Sequence, residues 1–443
     1  MSKRTMARHA ILAAAAYGAA QAAWAAGYQL ELQSIRAQGS SNAGSAEAAD
    51  PSAIFYNPAG LTQLDSSQLT VGADIVVPHS AFSGSTATRN DIFGNSAPVS
   101  PAGGGGRYAK TAVAPHFYLA HRLNEQLTAG VGVYAPFGAK IKYDDDFAGR
   151  YYGSAIDLKS IAINPSIALK LSEQHSIGFG VTAQYMDAVL EKKLSFVSSE
   201  PDSRIRVTGD DWGYGFNLGY LFTPTPDTRI GVAYRSFIKH TLRGNARYSV
   251  PGTPVSQLVK GTGALDDSDS SVDLTTPETL TLHAYQQLDS RWAIMGDVTW
   301  SRHSRFQSLV IEMPTAQDPD RKATDKLEWK NSWRASLGAS YRLDGQWTLR
   351  GGYMYDHSPV SDSRYAQPLM PDSDRQMLSL GASYRIDEHN TVDVAYSYLK
   401  FKEAAIDRSA NNYDGSSTDR PGTLHGRYRS HANLLGIGLT HKF

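Results

Sequence analysis

The sequence has no cysteine among its 443 residues, no net charge, and no long apolar run beyond its N-terminus. The missing cysteines exclude disulfide scaffolds, thiolate metal sites and cysteine nucleophiles. The balance of 43 basic and 43 acidic residues argues against a nucleic-acid partner, which calls for a basic surface. No stretch after the N-terminus approaches the ~20 apolar residues of a transmembrane helix. Mean hydropathy is mildly hydrophilic, which leaves a membrane β-barrel open, because barrel strands alternate polar and apolar faces and average to near-neutral values.

Signatures of chemistry are also missing. The thirteen histidines are scattered without H-x-x-x-H spacing, so no metal site is predicted. Gly103–Gly106 is not followed by Lys-Ser/Thr, so the run reads as loop flexibility rather than a phosphate cradle. No G-x-S-x-G elbow occurs. Serine, histidine and aspartate are abundant, yet a triad is defined by spatial geometry that sequence does not supply. Neither a cofactor nor an enzymatic activity is predicted.

What is present begins with an export signal. Lys3, Arg4 and Arg8 precede the short apolar stretch Ala10–Ala20, and Ala23-Trp24-Ala25 forms an A-x-A cleavage site. Residues 1–25 read as a secretory signal peptide, the alternative being an alanine-rich N-terminal helix. The next segment, 26–66, is rich in small residues and has no sustained period of 2 and only a poor helical period. It reads as a plug, or hatch, inside a barrel formed by residues 67–443.

From about Ser67 the dominant period is 2. Ile177, Phe179, Val181, Ala183 and Tyr185 alternate with Gly178, Gly180, Thr182, Gln184 and Met186. Trp333, Ala335, Leu337, Ala339 and Tyr341 alternate with Arg334, Ser336, Gly338, Ser340 and Arg342. Very short turns are predicted at Asn124-Glu125, Glu173-Gln174, Thr225-Pro226, Asp289-Ser290, Asp344-Gly345 and Glu388-His389. Longer polar connections fall roughly at 84–109, 137–153, 197–203, 246–271, 314–326, 358–373 and 404–427. Short and long alternate, as they do when one rim carries turns and the other external loops. The count gives an all-β, transmembrane antiparallel barrel of about 14 strands. Leu337–Asp344 (LGASYRLD) and Leu380–Asp387 (LGASYRID) nearly repeat, each placing Tyr on the apolar face before Arg and a turn acid, as at a headgroup girdle. Export and barrel together place the chain in the outer membrane of a Gram-negative bacterium.

Three stretches carry a resemblance: Ala26-Gly27-Tyr28-Gln29-Leu30, Asn57-Pro58-Ala59, and Tyr134–Gly138 (YAPFG). With them the sequence resembles the FadL family of outer-membrane long-chain fatty-acid transporters, which includes uptake channels for aromatic hydrocarbons. The resemblance implies a fourteen-stranded barrel closed by an N-terminal hatch, a kinked third strand that opens the wall sideways, and a monomer. It places Tyr28 in the ligand pocket, with Leu190 as an aliphatic contact and Lys192 as a basic partner for a ligand carboxylate. The family's basic residue is usually Arg, and Lys is a poorer fork for a carboxylate. Asn57, Pro58 and Ala59 are expected to anchor the hatch rather than touch cargo.

The residues themselves support the third-strand reading in part. Pro136 cannot donate to a ladder and Gly138 reaches geometries closed to other residues, so Pro136, Phe137 and Gly138 either bend the strand or begin an external loop. Asp144–Asp146 and Asp266–Ser270 (DDSDS) are either solvated loop charge or cation sites beside lipopolysaccharide. Three functions follow: passive uptake of hydrophobic molecules, either fatty acids or aromatic hydrocarbons; a solute porin, which has no need of a plug; and an outer-membrane lipase. The expected partners are hydrophobic small molecules, outer-membrane lipid and lipopolysaccharide.

Overall fold

A computed structural model describes residues 28–91, 93–197, 199–409, 413–414 and 421–443. The predicted signal peptide, 1–25, lies outside them.

Fourteen antiparallel strands close into a barrel. They are β1 (Gln68–Asn90), β2 (Ala112–Arg122), β3 in two pieces (Leu127–Tyr134 and Gly138–Lys142), β4 (Ala155–Lys170), β5 (His175–Leu194) and β6 (Ser203–Thr225). Next come β7 (Thr228–Arg235 and Lys239–Ser249), β8 (Ser268–Thr275 and Thr279–Gln287), β9 (Trp292–Ser301) and β10 (Ser332–Arg342). The last four are β11 (Trp347–Asp356), β12 (Arg375–Arg385), β13 (Asn390–Phe401) and β14 (Pro421–Lys442). Closure runs from Gln68↔Lys442 up the whole of β1 and β14. It removes the sheet edge that hydrocarbon would punish at several kcal/mol per orphaned backbone group.

Alternation decides which face is which. Phe179, Val181, Leu337, Leu380, Leu435 and Ile437 are exposed on the outside, where lipid covers them, while Thr182, Gln184, Ser336 and Ser340 are buried inside. At the lower rim, Tyr341 and Tyr384 pack against the cross-strand Trp292 and Trp347, with ring centroids 4.6 Å apart in each pair. The turn acids explain the tightness of these turns. Asp344 Oδ1 accepts from the amides of Gln346 and Trp347 at 2.8 and 2.7 Å, and Asp289 and Asp387 cap their own turns in the same way. An Asx side chain that bonds its backbone two residues on stabilises such a reversal.

Inside lies the segment from Tyr28 to Ser67. It holds two short helices, α1 (Ile35–Gly39) and α2 (Ala53–Tyr56), and a 3₁₀ turn at Pro58–Gln63. One to two turns each explain why no helical period is legible there. The end of α1 sits on a flat strip of wall: a Cβ at Gly352 would lie 2.2 Å from the Ser40 carbonyl oxygen, and one at Gly381 2.7 Å from Gly39 Cα.

The external connections differ from the expected loops. β1 runs to Asn90 and pairs back with Ser96–Pro98, Ala404–Arg408 pairs with β14, Lys322–Lys326 pairs with Ser308–Glu312, and Pro254–Gly261 is a helix, α3. The pieces of β3 and β8 at Gly138–Lys142 and Ser268–Thr275 likewise reach into predicted loops. Above the membrane both faces of a strand meet either solvent or folded loop. The apolar–polar alternation that marks a lipid-facing strand fades there while the ladder continues.

Candidate functional site

The third strand is broken where Pro136 falls. Its pairing with β2 ends at His116↔Tyr134, and its pairing with β4 shifts by one residue between Tyr134↔Ala162 and Gly138↔Lys159. The three carbonyls freed at 135–137 and the Phe137 amide all have partners. Gln33 Nε2 donates to the Ala135 carbonyl at 2.8 Å, Leu30 N to the Pro136 carbonyl at 2.8 Å, and Phe137 N to Ser160 Oγ at 2.8 Å. Ser160 Oγ donates in turn to the Phe137 carbonyl at 2.7 Å, and Gly138 N donates to the Tyr28 carbonyl at 2.8 Å. The chain from Tyr28 to Leu30 thus lies against the break as an added strand, with Gln29 bridged to Phe137. Buried backbone groups demand such partners, and here the interior segment supplies most of them.

Tyr28 then turns into the lumen and is 1% exposed. Its ring packs against Phe137, Trp329 and Phe306 at centroid distances of 5.3, 6.1 and 6.2 Å, and its hydroxyl donates to the Thr275 carbonyl at 3.4 Å. It forms one end of an apolar cavity of about 580 Å³ walled by Leu158, Leu190, Leu242, Val272 and Leu274. A second cavity of about 770 Å³ lies beside it, and both share Leu190, Val207, Leu309, Gln367 and Leu369 as walls.

Lys192 lines the second cavity. It faces a fixed polar group built from distant parts of the chain: Arg408, fully buried, is ion-paired with Asp325, and Gln367 Nε2 donates to Asp325 Oδ2 at 2.6 Å. Lys192 acts on Asp325 through space. The ion pair beside this lysine that sequence could not place, the Asp325 carboxylate and the Arg408 guanidinium that neutralises it, makes the cavity's polar end more than a single cation. Lys193 points outward and pairs with Asp145 at 3.0 Å.

Asn57, Pro58 and Ala59 lie toward the lower rim, against the other ends of β5, β6 and β8. Asn57 Nδ2 donates to the Tyr220 carbonyl at 3.0 Å and lies 2.8 Å from His283 Nε2, while its Oδ1 accepts from Ala59 N at 3.0 Å. A Cβ at Gly178 would stand 2.3 Å from Ala59 N, and one at Gly219 2.0 Å from Asn57 Oδ1. Three ion pairs absent from the sequence reading also tie the interior segment to the wall: Glu31–Arg334 at 2.6 Å, Glu47–Arg350 at 2.9 Å and Arg36–Asp393 at 3.1 Å. Their acids and bases lie 303 and 357 positions apart in the latter two, and nothing local marks them.

Among the described residues no group of three or more His, Asp or Glu side chains is arranged to hold a metal ion. The acidic loop clusters have partners within the chain, Asp145 with Lys193 and Asp267 with the Tyr248 amide at 2.8 Å.

The chain and its fold have known relatives. Residues 16–443 match the family described as outer membrane protein transport protein (OMPP1/FadL/TodX). The chain is 34% identical over 455 residues to a putative outer membrane protein of Neisseria meningitidis serogroup B, covering 96% of each. It is 29% identical over 427 residues to the long-chain fatty acid transport protein of Escherichia coli O6:H1, covering 90% of this chain and 92% of that one. In fold it is similar to a Pseudomonas aeruginosa FadL homologue, with a TM-score of 0.84 at 24% identity, covering 94% of this chain and 100% of the other. The Pseudomonas putida toluene transporter TodX shares the fold with a TM-score of 0.67 at 16% identity, covering 95% and 100%. With a match over nearly its whole length, the chain belongs to the OMPP1/FadL/TodX family of outer membrane transport proteins.

Proposed function

We propose that the protein takes up long-chain fatty acids or chemically similar hydrophobic molecules by diffusion, with exit sideways into the membrane at the break in β3. Cargo enters between the external loops, occupies the paired apolar cavities, and leaves when the Tyr28–Leu30 segment withdraws from 135–138. The observation that carries this reading is the double role of that segment: Tyr28 ends the apolar cavity, and the same short stretch fills the wall. Tyr28 and Leu190 contact the chain of the ligand, Lys192 orients its acidic end, and Asn57, Pro58 and Ala59 hold the hatch while its N-terminus moves. Cargo leaves chemically unchanged, so no catalytic group is assigned. The barrel works as a monomer with lipopolysaccharide as its outer-leaflet neighbour.

Magnitudes favour a greasy ligand over a merely charged one. At ~0.8 kcal/mol per buried methylene, a long acyl chain gains on the order of 10 kcal/mol before entropy costs. A partly solvated ion pair contributes ~0–1 kcal/mol. The relative named as a fatty acid transporter and the fold shared with a toluene transporter are both compatible with that balance, and the basic residue at the cavity's polar end favours the acid.

The test is uptake of radiolabelled oleate and toluene by cells lacking their own transporter, with and without this gene, and with a variant lacking residues 26–38. Oleate uptake that the deletion changes supports both substrate and gate. Toluene uptake alone moves the protein to the aromatic-hydrocarbon class. Entry of small sugars without either compound would establish a porin instead.

A further inference from the structure

The outer surface of the barrel is not uniformly charged. On β13, the lipid-facing residues Val394, Tyr396 and Tyr398 are followed with the same alternation by Lys400, and Lys402 is exposed just beyond. On β14 the lipid-facing Leu439, Ile437 and Leu435 lead upward through Asn433 to His431, Arg429 and Arg427. The register puts these at matching heights: Lys400 opposite His431, which is opposite His79 of β1, and then Arg429 opposite Ala81. His79 and His431 stack at 4.7 Å with their planes 4° apart, and Tyr398 lies 5.7 Å from His431. Side chains of Lys402, Arg429 and Arg427 are 75%, 71% and 66% exposed.

Four fixed cations therefore stand directly above an aromatic belt, on the face that meets lipid. Glu403 bonds Arg427 at 3.0 Å and Arg429 at 2.5 Å, fixing both guanidinium groups, and Asp374 lies 4.0 Å from Lys402. The patch keeps an excess of two positive charges, from four bases and two acids, before either histidine is counted. Elsewhere on the outer wall acids and bases balance: Asp157, Asp187 and Asp210 on β4–β6 stand directly opposite Lys140, Lys159 and Arg243.

We propose that the β13–β14–β1 face is a binding site for a phosphorylated glycolipid of the outer leaflet, with its acyl chains along Val394, Ile437 and Leu435 and its phosphates on Lys400, Lys402 and Arg429. Aromatic belts mark the headgroup level, so cations just above one lie at the height of lipid phosphates. Arginine and lysine bind phosphate by charge-assisted hydrogen bonds, and clustered bases beside a membrane read as headgroup sites. The inference rests on the outer-membrane placement and on lipopolysaccharide as a neighbour, and it is independent of which cargo is carried.

The test uses the full-length mature protein in detergent micelles, with diphosphorylated lipid A titrated and bound lipid counted by native mass spectrometry. The triple variant Lys400→Gln/Lys402→Gln/Arg429→Gln is expected to bind lipid A about tenfold more weakly or worse. The control Lys159→Gln/Arg204→Gln/Arg206→Gln should bind as wild type, lipid A stripped of its phosphates should bind wild type weakly, and millimolar inorganic phosphate should not displace the lipid. Wild-type affinity in the triple variant overturns the proposal. So does equal binding of the dephosphorylated lipid, a measurement that needs no variant, and so does displacement by free phosphate, which would make this an anion site rather than a lipid site. Oleate uptake should be unchanged in the triple variant, which keeps this result separable from the transport reading.

Discussion

Gly138 donates its backbone N–H to the carbonyl of Tyr28, 2.8 Å away, across 110 positions of sequence. A strand of the wall and the first described residue of the interior segment are thereby one hydrogen-bonded unit. Two residues on, Leu30 returns the bond to Pro136. The wall is closed here by a segment that is not part of the barrel, so it can be opened without unfolding the barrel.

That relationship predicts the effect of Leu30→Pro. The substitution deletes the donor to the Pro136 carbonyl and leaves the extended backbone intact, since proline suits such a position. A net hydrogen bond contributes about 1 kcal/mol and an orphaned buried carbonyl costs about 1–3 kcal/mol, enough to shift the closed population roughly tenfold. Initial rates of oleate uptake should rise several-fold at equal surface expression. An unchanged rate would show that the Tyr28–Leu30 segment does not gate exit.

The opposite end of the hatch should respond to crowding instead. Gly219→Ala places a methyl 2.0 Å from Asn57 Oδ1 and 2.9 Å from Ala59 N, where the Pro58 turn leaves no room to yield. Overpacking of this kind costs about 1–3 kcal/mol. Limited trypsinolysis should then cut at Arg36 faster than in wild type. Gly345→Ala, at a lower-rim turn with nothing within 4 Å of the new methyl, should leave the digestion pattern as it was.

Much of this architecture is written locally in the chain. A period of 2, a turn acid after Tyr-Arg, and alternation of short and long connections are all set by nearest neighbours and by lipid on one face. The Pro136–Gly138 break is local too, because proline lacks a donor. What mends it is not. Ser160 comes from the neighbouring strand, but Gln33 and Leu30 meet the break only with the interior segment in place, and Asp325 and Arg408 likewise come from different external segments. The ends of the strands are illegible for a third reason: beyond the membrane, lipid no longer imposes a pattern on the ladder.

Lys192 tests how much charge contributes at the proposed ligand site. Lys192→Met keeps the length of the side chain and removes its charge, leaving Asp325 to Arg408. A partly solvated pair contributes ~0–1 kcal/mol, so oleate affinity should fall by no more than about fivefold. Toluene affinity should not change, having no acid to orient. A hundredfold loss for oleate would mean that the charge, rather than the apolar wall, dominates binding.

The external loops carry a latch whose pH dependence can be given a sign. Glu200, between β5 and β6, caps α3 between β7 and β8. Its carboxylate accepts from Thr253 Oγ1 at 2.6 Å, Val255 N at 2.9 Å, Ser256 N at 3.0 Å and Ser256 Oγ at 2.9 Å. Desolvation pushes the Glu200 carboxyl up, but these hydrogen bonds outweigh it and hold the group below the ordinary glutamate value. A depressed carboxyl contributes stability that is fully present above its unfolded pKa of about 4.3 and is lost as pH falls through the lower folded value. At neutral pH the two loops should therefore be joined, and they should separate only in acid below the ordinary glutamate range, as the carboxyl takes up a proton. Pepsin cleavage within residues 250–262, followed from pH 5 to pH 2.5 and corrected for the enzyme's own pH profile, should accelerate across that window. Glu200→Gln cannot titrate and should show a flat corrected profile, starting from a faster rate because an amide is a weaker acceptor at a helix N-terminus. The same steep rise in Glu200→Gln would assign the transition to another group and dissolve the latch.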